Sequence, residues 1–333
     1  MLLLAITLLG APQNPRLEVE TSGTTARLQA VSVVSEKIVW ASGAKGTYVR
    51  TIDGGATWKA GVVPGTDSLE FRDVQGFDAM NAVLLAAGTG DKSRLYRTSD
   101  GGRTWTKLWV NTNPKGFYDC VDFAGAEGYV VGDQLEDRIP MLRSIDRGKT
   151  WRPYQPQGLQ AIQAVKDEGG FAASGTCIVV RPGRTWIVTA TGGRVITRIA
   201  EQWSVHEPPI PRGPSAGAFS IAMRTDQIGI LAAGDLTKPD AFLDAIAVTT
   251  DGGATWASGG RPTFGGAPFG IAYVPGRPAP TVVAVGPKGA SWSPDEGQSW
   301  QSLDVNGYWG LGFAANGTGW LVGPDGRITK VIF

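Results

Sequence analysis

Thr51-Ile52-Asp53-Gly54-Gly55-Ala56-Thr57-Trp58 is one copy of a phrase that returns at Thr98 to Trp105, Ser144 to Trp151, Thr249 to Trp256 and Ser293 to Trp300. Each copy reads Ser/Thr-x-Asp-x-Gly-x-Ser/Thr-Trp, with its aspartate at Asp53, Asp100, Asp146, Asp251 or Asp295. The differences between those positions are 47, 46, 105 and 44 residues, so the long gap spans two periods and hides a degenerate copy. A period in the forties marks a repeat fold in which one supersecondary unit buries its faces only against its neighbours.

Short apolar strands ending in glycine precede the phrase, at Gly43, Gly88, Gly132, Gly234, Gly286 and Gly323, and the spacing requires a seventh unit between Gly132 and Gly234. Gly175 and Gly192 both fit as its glycine. Gly192 is preferred, because Arg194-Val195-Ile196-Thr197 follows as a third strand and Trp203 then takes the place of the phrase's tryptophan. Residues 158–170 become an insertion and 171–180 the unit's first strand. Upstream of each glycine strand runs another apolar strand, aligning Val31, Val74, Val121, Ile178, Ile221, Ile271 and Leu311. The preceding column is Ala30, Asp73, Cys120, Cys177, Ser220, Gly270 and Gly310, nearly all small, as crowding around a central axis requires.

The expected fold is all-β: a seven-bladed β-propeller of four-stranded antiparallel blades, forming one domain over residues 16–333. The seventh unit stops after its third strand, and Arg16-Leu17-Glu18-Val19-Glu20 supplies the missing outer strand, closing the ring and removing exposed edges. Alternation of strands puts the Asp phrases and the turns between first and second strands on one face. The longer, more variable connections lie on the other, which is the natural binding surface.

Composition narrows the function classes. Lys plus Arg number 31 against 30 for Asp plus Glu, so no electrostatic footprint for nucleic acid or an anionic membrane appears. The apolar stretch at residues 1–11 is too short to span a bilayer and reads as a signal peptide with a small-residue exit at Gly10 and Ala11, which implies a periplasmic or secreted protein. One histidine, His206, and two cysteines cannot build a common structural zinc site, and His206 reads as a loop residue; no metal or cofactor is expected. Cys120 and Cys177 share a column on consecutive units, but neighbouring inner strands are expected to stand too far apart for a bridge, so two buried thiols are the preferred reading.

The phrase itself reads as an internal fastener. Glycines at 55, 102, 148, 253 and 297 supply positive φ, the aspartate accepts backbone N–H bonds across the turn, and Trp58, Trp105, Trp151, Trp256 and Trp300 bury their rings between sheets. Five near-complete copies resemble the Asp-box, or bacterial neuraminidase repeat. Arg-Thr-x-Asp-Gly-Gly-x-Thr-Trp after a glycine-ended strand is most similar to the photosystem II stability/assembly factor-like family, and more distantly to sialidases. The resemblance covers residues 16–333. It implies a seven-bladed propeller and, for the best-known members, a non-catalytic role in assembling partner proteins.

Candidate binding residues come from the loop face of the second and third units: Arg72, Asp73, Lys92, Arg94, Lys115, Tyr118, Asp119 and Arg138, gathered on one side of the channel mouth. Asp73 is the only charged residue in the small inner column, and the bland alternative is a salt bridge with Arg72 or an arginine of a neighbouring blade. Arg50, Arg97 and Arg143 share a second column, either docking an acidic partner or pairing with acids on adjacent blades; the second option is preferred. A sialidase-like hydrolase would need an arginine triad, a tyrosine–glutamate pair and an acidic proton donor. Arg138-Ile139-Pro140 has the look of the family's arginine motif but stands in the wrong place, and no triad forms around Tyr118 and Asp119. Asp73 and Asp119 are the candidates for two-carboxylate glycosidase chemistry. The preferred function is an exported, monomeric, non-catalytic scaffold for a protein partner, with a carbohydrate ligand possible and a sialidase-like glycoside hydrolase as the alternative.

Overall fold

The computed structural model describes residues 14–155 and 163–333; the expected signal peptide at residues 1–11 lies outside the described residues. Blade 1 contains β2 (Leu28–Val33), β3 (Val39–Gly43), β4 (Thr47–Thr51) and β5 (Lys59–Val62). Blade 2 contains β6 (Phe71–Gly76), β7 (Ala82–Ala86), β8 (Arg94–Thr98) and β9 (Thr106–Val110). Blade 3 contains β10 (Tyr118–Ala124), β11 (Glu127–Gly132), β12 (Met141–Ser144) and β13 (Arg152–Tyr154). Blade 4 contains β14 (Ile178–Arg181), β15 (Arg184–Val188), β16 (Val195–Ile199) and β17 (Gln202–His206). Blade 5 contains β18 (Ala216–Met223), β19 (Gly229–Asp235), β20 (Ile246–Thr249) and β21 (Ala257–Ser258). Blade 6 contains β22 (Gly270–Tyr273), β23 (Val282–Gly286), β24 (Gly289–Ser293) and β25 (Gln301–Asp304). Blade 7 contains β26 (Gly310–Phe313), β27 (Gly319–Val322) and β28 (Ile328–Ile332), completed on its outside by β1 (Arg16–Glu20), which pairs antiparallel with β28.

Every blade is an antiparallel four-stranded sheet, and the inner strands touch in sequence around the ring, with β26 meeting β2 to close it. Between the blades, the rings of Trp40, Trp186, Trp292 and Trp320 are fully buried, each removing about 150–250 Å² from water. Glu20 locks the closure: its Oε2 accepts the indole N–H of Trp58 on blade 1 at 2.8 Å and of Trp320 on blade 7 at 3.0 Å.

Adjacent inner strands are fastened by side chains that accept the neighbour's backbone N–H. Ser32 takes Gly76 N at 3.0 Å, Asp73 takes Val121 N at 2.6 Å, Asp122 takes Val180 N at 2.6 Å and Ser220 takes Ile271 N at 2.9 Å. At the seam between blades 7 and 1 a Cβ on Gly310 would fall 2.5 Å from Gln29 O, so only glycine allows that approach.

Two expectations are corrected here. Cys120 and Cys177 form a disulfide, with Cα atoms 6.0 Å apart. The small inner column lets blades 3 and 4 approach, and a β-bulge between Tyr118 and Cys120 bends the strand there. The first strand of blade 4 is shorter than 171–180: β14 begins at Ile178, and residues 171–177 run free of any sheet. In blade 4, β16 and β17 occupy the register that the Gly192 alignment requires, with Trp203 on β17, but the position two beyond the paired Ile187 is Thr189, where Gly132 stands in blade 3.

Candidate functional site

Hydrogen bonds identify the two faces. On one, Gly54 N donates to Lys37 O at 3.0 Å and Gly101 N to Met80 O at 2.9 Å, joining each Asp phrase to the turn after the inner strand. On the other, Ala87 N donates to Glu70 O at 3.1 Å and Asp133 N to Phe117 O at 2.9 Å, joining the longer connections. The aspartates of the phrase are fully engaged on the first face. Asp53 Oδ1 accepts from Thr51 Oγ1 at 2.7 Å and Thr57 N at 2.9 Å, and its Oδ2 from Thr57 Oγ1 at 2.6 Å. Asp100, Asp146, Asp251 and Asp295 repeat this pattern. Donors from Thr57 and Thr104 lower the Asp53 and Asp100 carboxyls to about 2. The phrase's tryptophans divide: Trp256 and Trp300 donate to carbonyls of their own turns, whereas the indole nitrogens of Trp105 and Trp151 are buried without a partner.

The eight shortlisted residues occupy three places rather than one side of the mouth. Arg72, Asp73 and Asp119 sit at the loop-face ends of the inner strands β6 and β10. Tyr118 and Arg138 line a groove of about 380 Å³ with Ile139, Pro140 and Tyr154. Lys92, Arg94 and Lys115 are farther out: Arg94 is on the third strand and ion-pairs Asp91 at 2.7 Å, and the Lys115 backbone N–H caps a turn at Asn113 Oδ1.

Asp73 is buried and makes no ion pair with Arg72 or any neighbouring arginine. Its oxygens accept Val74 N at 2.7 Å and Val121 N at 2.6 Å, and burial raises its carboxyl well above the usual range. Asp119 is also buried, and its Oδ2 has no hydrogen-bond partner among the described residues. Burial first, and then the Asp133 charge, raise it, while Arg72 acts in the opposite sense. Gly170 N donates to Asp133 Oδ1 at 3.1 Å. The Tyr118 ring packs edge-on to Trp109 at 4.8 Å, and burial raises its hydroxyl.

Of the arginine column, only Arg50 links one blade to the next, and it does so through a backbone carbonyl and not the expected acid. Arg50 lies 5.2 Å over Trp40 and donates to Ala79 O on blade 2. Arg97 donates to Asn81 Oδ1 at 2.9 Å, and Arg143 pairs with Glu127 of its own blade at 2.6 Å. None of the three reaches an acid on an adjacent blade.

Several mouth residues lay outside the shortlist. Arg27 stacks 4.5 Å over Trp309 and pairs with Glu70 at 2.7 Å; Glu70 also holds Arg72 at 2.7 Å, and Arg72 lies 5.9 Å over Phe117. Blades 7, 1, 2 and 3 are thus linked by one chain of alternating rings and charges. Gln29, Arg72, Asp119 and Phe219 stand at the β-bulges of β2, β6, β10 and β18, each one residue before the small inner column, a recurrence visible in the sequence once the bulge is known. The opposite half of the mouth is aromatic: Phe171 stacks on Phe219 at 3.7 Å, Phe219 on Phe269 at 5.4 Å, and Phe269 meets Trp309 edge-on at 5.0 Å. Among the described residues no cluster of His, Cys, Asp and Glu is placed to hold a metal, and no helix is long and apolar enough to cross a membrane.

No known family profile matches the sequence. The fold resembles YCF48 bound to D1 peptide, at a TM-score of 0.67 and 19% identity, covering 95% of this chain and 97% of that one. It resembles YCF48 from Cyanidioschyzon merolae equally, at a TM-score of 0.67 and 16% identity, covering 94% and 98%. By sequence, an alignment covering 63% of this chain is 26% identical to the xyloglucanase Xgh74A of Acetivibrio thermocellus; the match spans only 28% of that enzyme.

Proposed function

We propose that this propeller is an exported, non-catalytic scaffold that binds a protein partner through its loop face. The observation that carries the reading is the contact chain Trp309–Arg27–Glu70–Arg72–Phe117, in which half-buried arginines and rings from four blades present the residue types enriched at the centres of protein interfaces. Glu70 neutralises one of its two arginines, leaving a cationic surplus for an acidic group on the partner. The likeness to a propeller that holds a D1 peptide supports a polypeptide ligand. Export is supported by the apolar residues 1–11 and by the Cys120–Cys177 bridge, which suits an oxidising compartment.

A photo-crosslinking residue at Phe117, in the exporting cell, tests this: one specific protein adduct is expected, and no adduct overturns the proposal. A glycoside hydrolase is the second reading, favoured by the xyloglucanase match alone. Reducing-end release from xyloglucan or a sialoside by the purified chain would establish it in place of the scaffold.

A further inference from the structure

The loop-face mouth of the channel is occupied by the chain itself. Residues 171–175, which lead into blade 4, cross the axis: Ser174 Oγ donates to Phe269 O on blade 6 at 2.7 Å, and Gly175 lies against Asp73 on blade 2. Gly175 has φ of 77°, and a Cβ there would fall 2.2 Å from Asp73 Oδ1. Ala172 and Ala173 are buried, and Phe171 stacks on Phe219. We infer that this mouth is a peptide-binding site filled in cis by Phe171–Gly175, and that it accepts from a partner a segment of the same chemistry: an aromatic residue, two small residues, a hydroxyl and glycine.

Three features carry the inference. The segment joins no sheet, and among the described residues its one hydrogen bond to another blade is Ser174 to Phe269. It is held by a ring stack, the packing of two small alanines and a single hydrogen bond, which places it toward the easily opened end of the structure. Its two ends, by contrast, are fixed. Buried Glu168 ion-pairs Arg194 and accepts Thr189 Oγ1 at 2.7 Å, while Cys177 is bonded to Cys120. Gly170 N donates to Asp133 Oδ1 at 3.1 Å and Thr176 O accepts Ile221 N at 2.9 Å, so displacement would move residues 171–175 alone and leave the blades intact. Finally, the aromatic platform extends beyond its occupant: Phe219, Phe269 and Trp309 stand at matching positions on blades 5, 6 and 7, and Phe171 stacks on the first alone.

The inference rests on the protein-binding reading but is tested separately, with the full chain and a fluorophore-labelled peptide of residues 169–176, Gly-Gly-Phe-Ala-Ala-Ser-Gly-Thr. Phe171→Ser weakens the cis occupant, so the peptide should bind this variant about 5-fold more tightly than the wild type, as loss of a stacking contact of about 1 kcal/mol implies. The peptide with serine in place of phenylalanine should not bind. Should Phe171→Ser not fold, Ser174→Ala, which removes only the bond to Phe269, should bind a few-fold more tightly than the wild type. Equal affinity for wild type and a folded variant, or no binding to either, overturns the inference. A specific adduct at Phe117 alongside that result leaves the protein-binding reading standing; the absence of both removes the two together.

Discussion

Glu20 Oε2 accepts the indole N–H of Trp58 at 2.8 Å, so the strand that completes blade 7 is bolted to blade 1 by a side chain as well as to β28 by its backbone. The same oxygen holds Trp320, and burial raises the Glu20 carboxyl. Glu20→Ala should lower stability by about 2 kcal/mol, the cost of two buried indoles left without a partner. Glu20→Gln, which keeps an acceptor, should lose less. Chemical denaturation of both variants checks the order; equal loss would place the closure in the backbone pairing alone.

The disulfide between blades 3 and 4 closes a long loop, with a sequence separation of 57 residues. Replacing both cysteines by alanine should destabilise by about 2–4 kcal/mol. Reducing agent should give the same loss in the wild type and none in the variant.

Two sets of carboxyls impose opposite pH dependences. Asp122, raised to about 7 by burial, and Asp73 and Asp119, raised also, bind protons in the fold more tightly than in the unfolded chain. Stability should therefore increase as pH falls from above 7 to about 4. Asp53, Asp100 and Asp146, held near 2 by their hydroxyl and backbone donors, stabilise above about 4, and that contribution is lost as pH falls toward 2. A maximum on the acid side of neutrality is expected in thermal unfolding, and Asp122→Asn should flatten the limb above it. A monotonic fall on acidification from pH 8 would contradict this.

The ring was legible because a propeller repeats its packing problem. Gly55 and Asp53 answer the same turn geometry in blade 1 that Gly253 and Asp251 answer in blade 5, and the seven-fold column of small residues marks the axis. Blade 4 was hardest because it lacks the aspartate and places Thr189 where blade 3 has Gly132. The site was less legible because its members do not repeat. Asp119 is recognisable as odd, yet its neighbour Asp133 comes from another connection, and the backbone covering both, Gly169-Gly170, from a third. Arg27 and Glu70 precede their inner strands and look like ordinary solvated charges until the ring brings blades 1 and 2 together. The Cys120–Cys177 distance depended on a bulge and on close strand approach, neither of which spacing encodes.

Arg72→Glu places two carboxylates side by side with Glu70 and removes the cation over Phe117, whereas Ile145→Glu adds one charge at an exposed site on the opposite face. Both should leave the unfolding midpoint within about 0.5–1 kcal/mol of the wild type. The decisive measurement is the affinity of these two variants for the protein identified by crosslinking at Phe117. At least ~10-fold weaker binding for Arg72→Glu with wild-type binding for Ile145→Glu is predicted, since reversing a central hot-spot arginine costs about 2 kcal/mol or more. Wild-type affinity for Arg72→Glu, with loss confined to Ile145→Glu, would place the working surface on the Asp-phrase face and contradict the account.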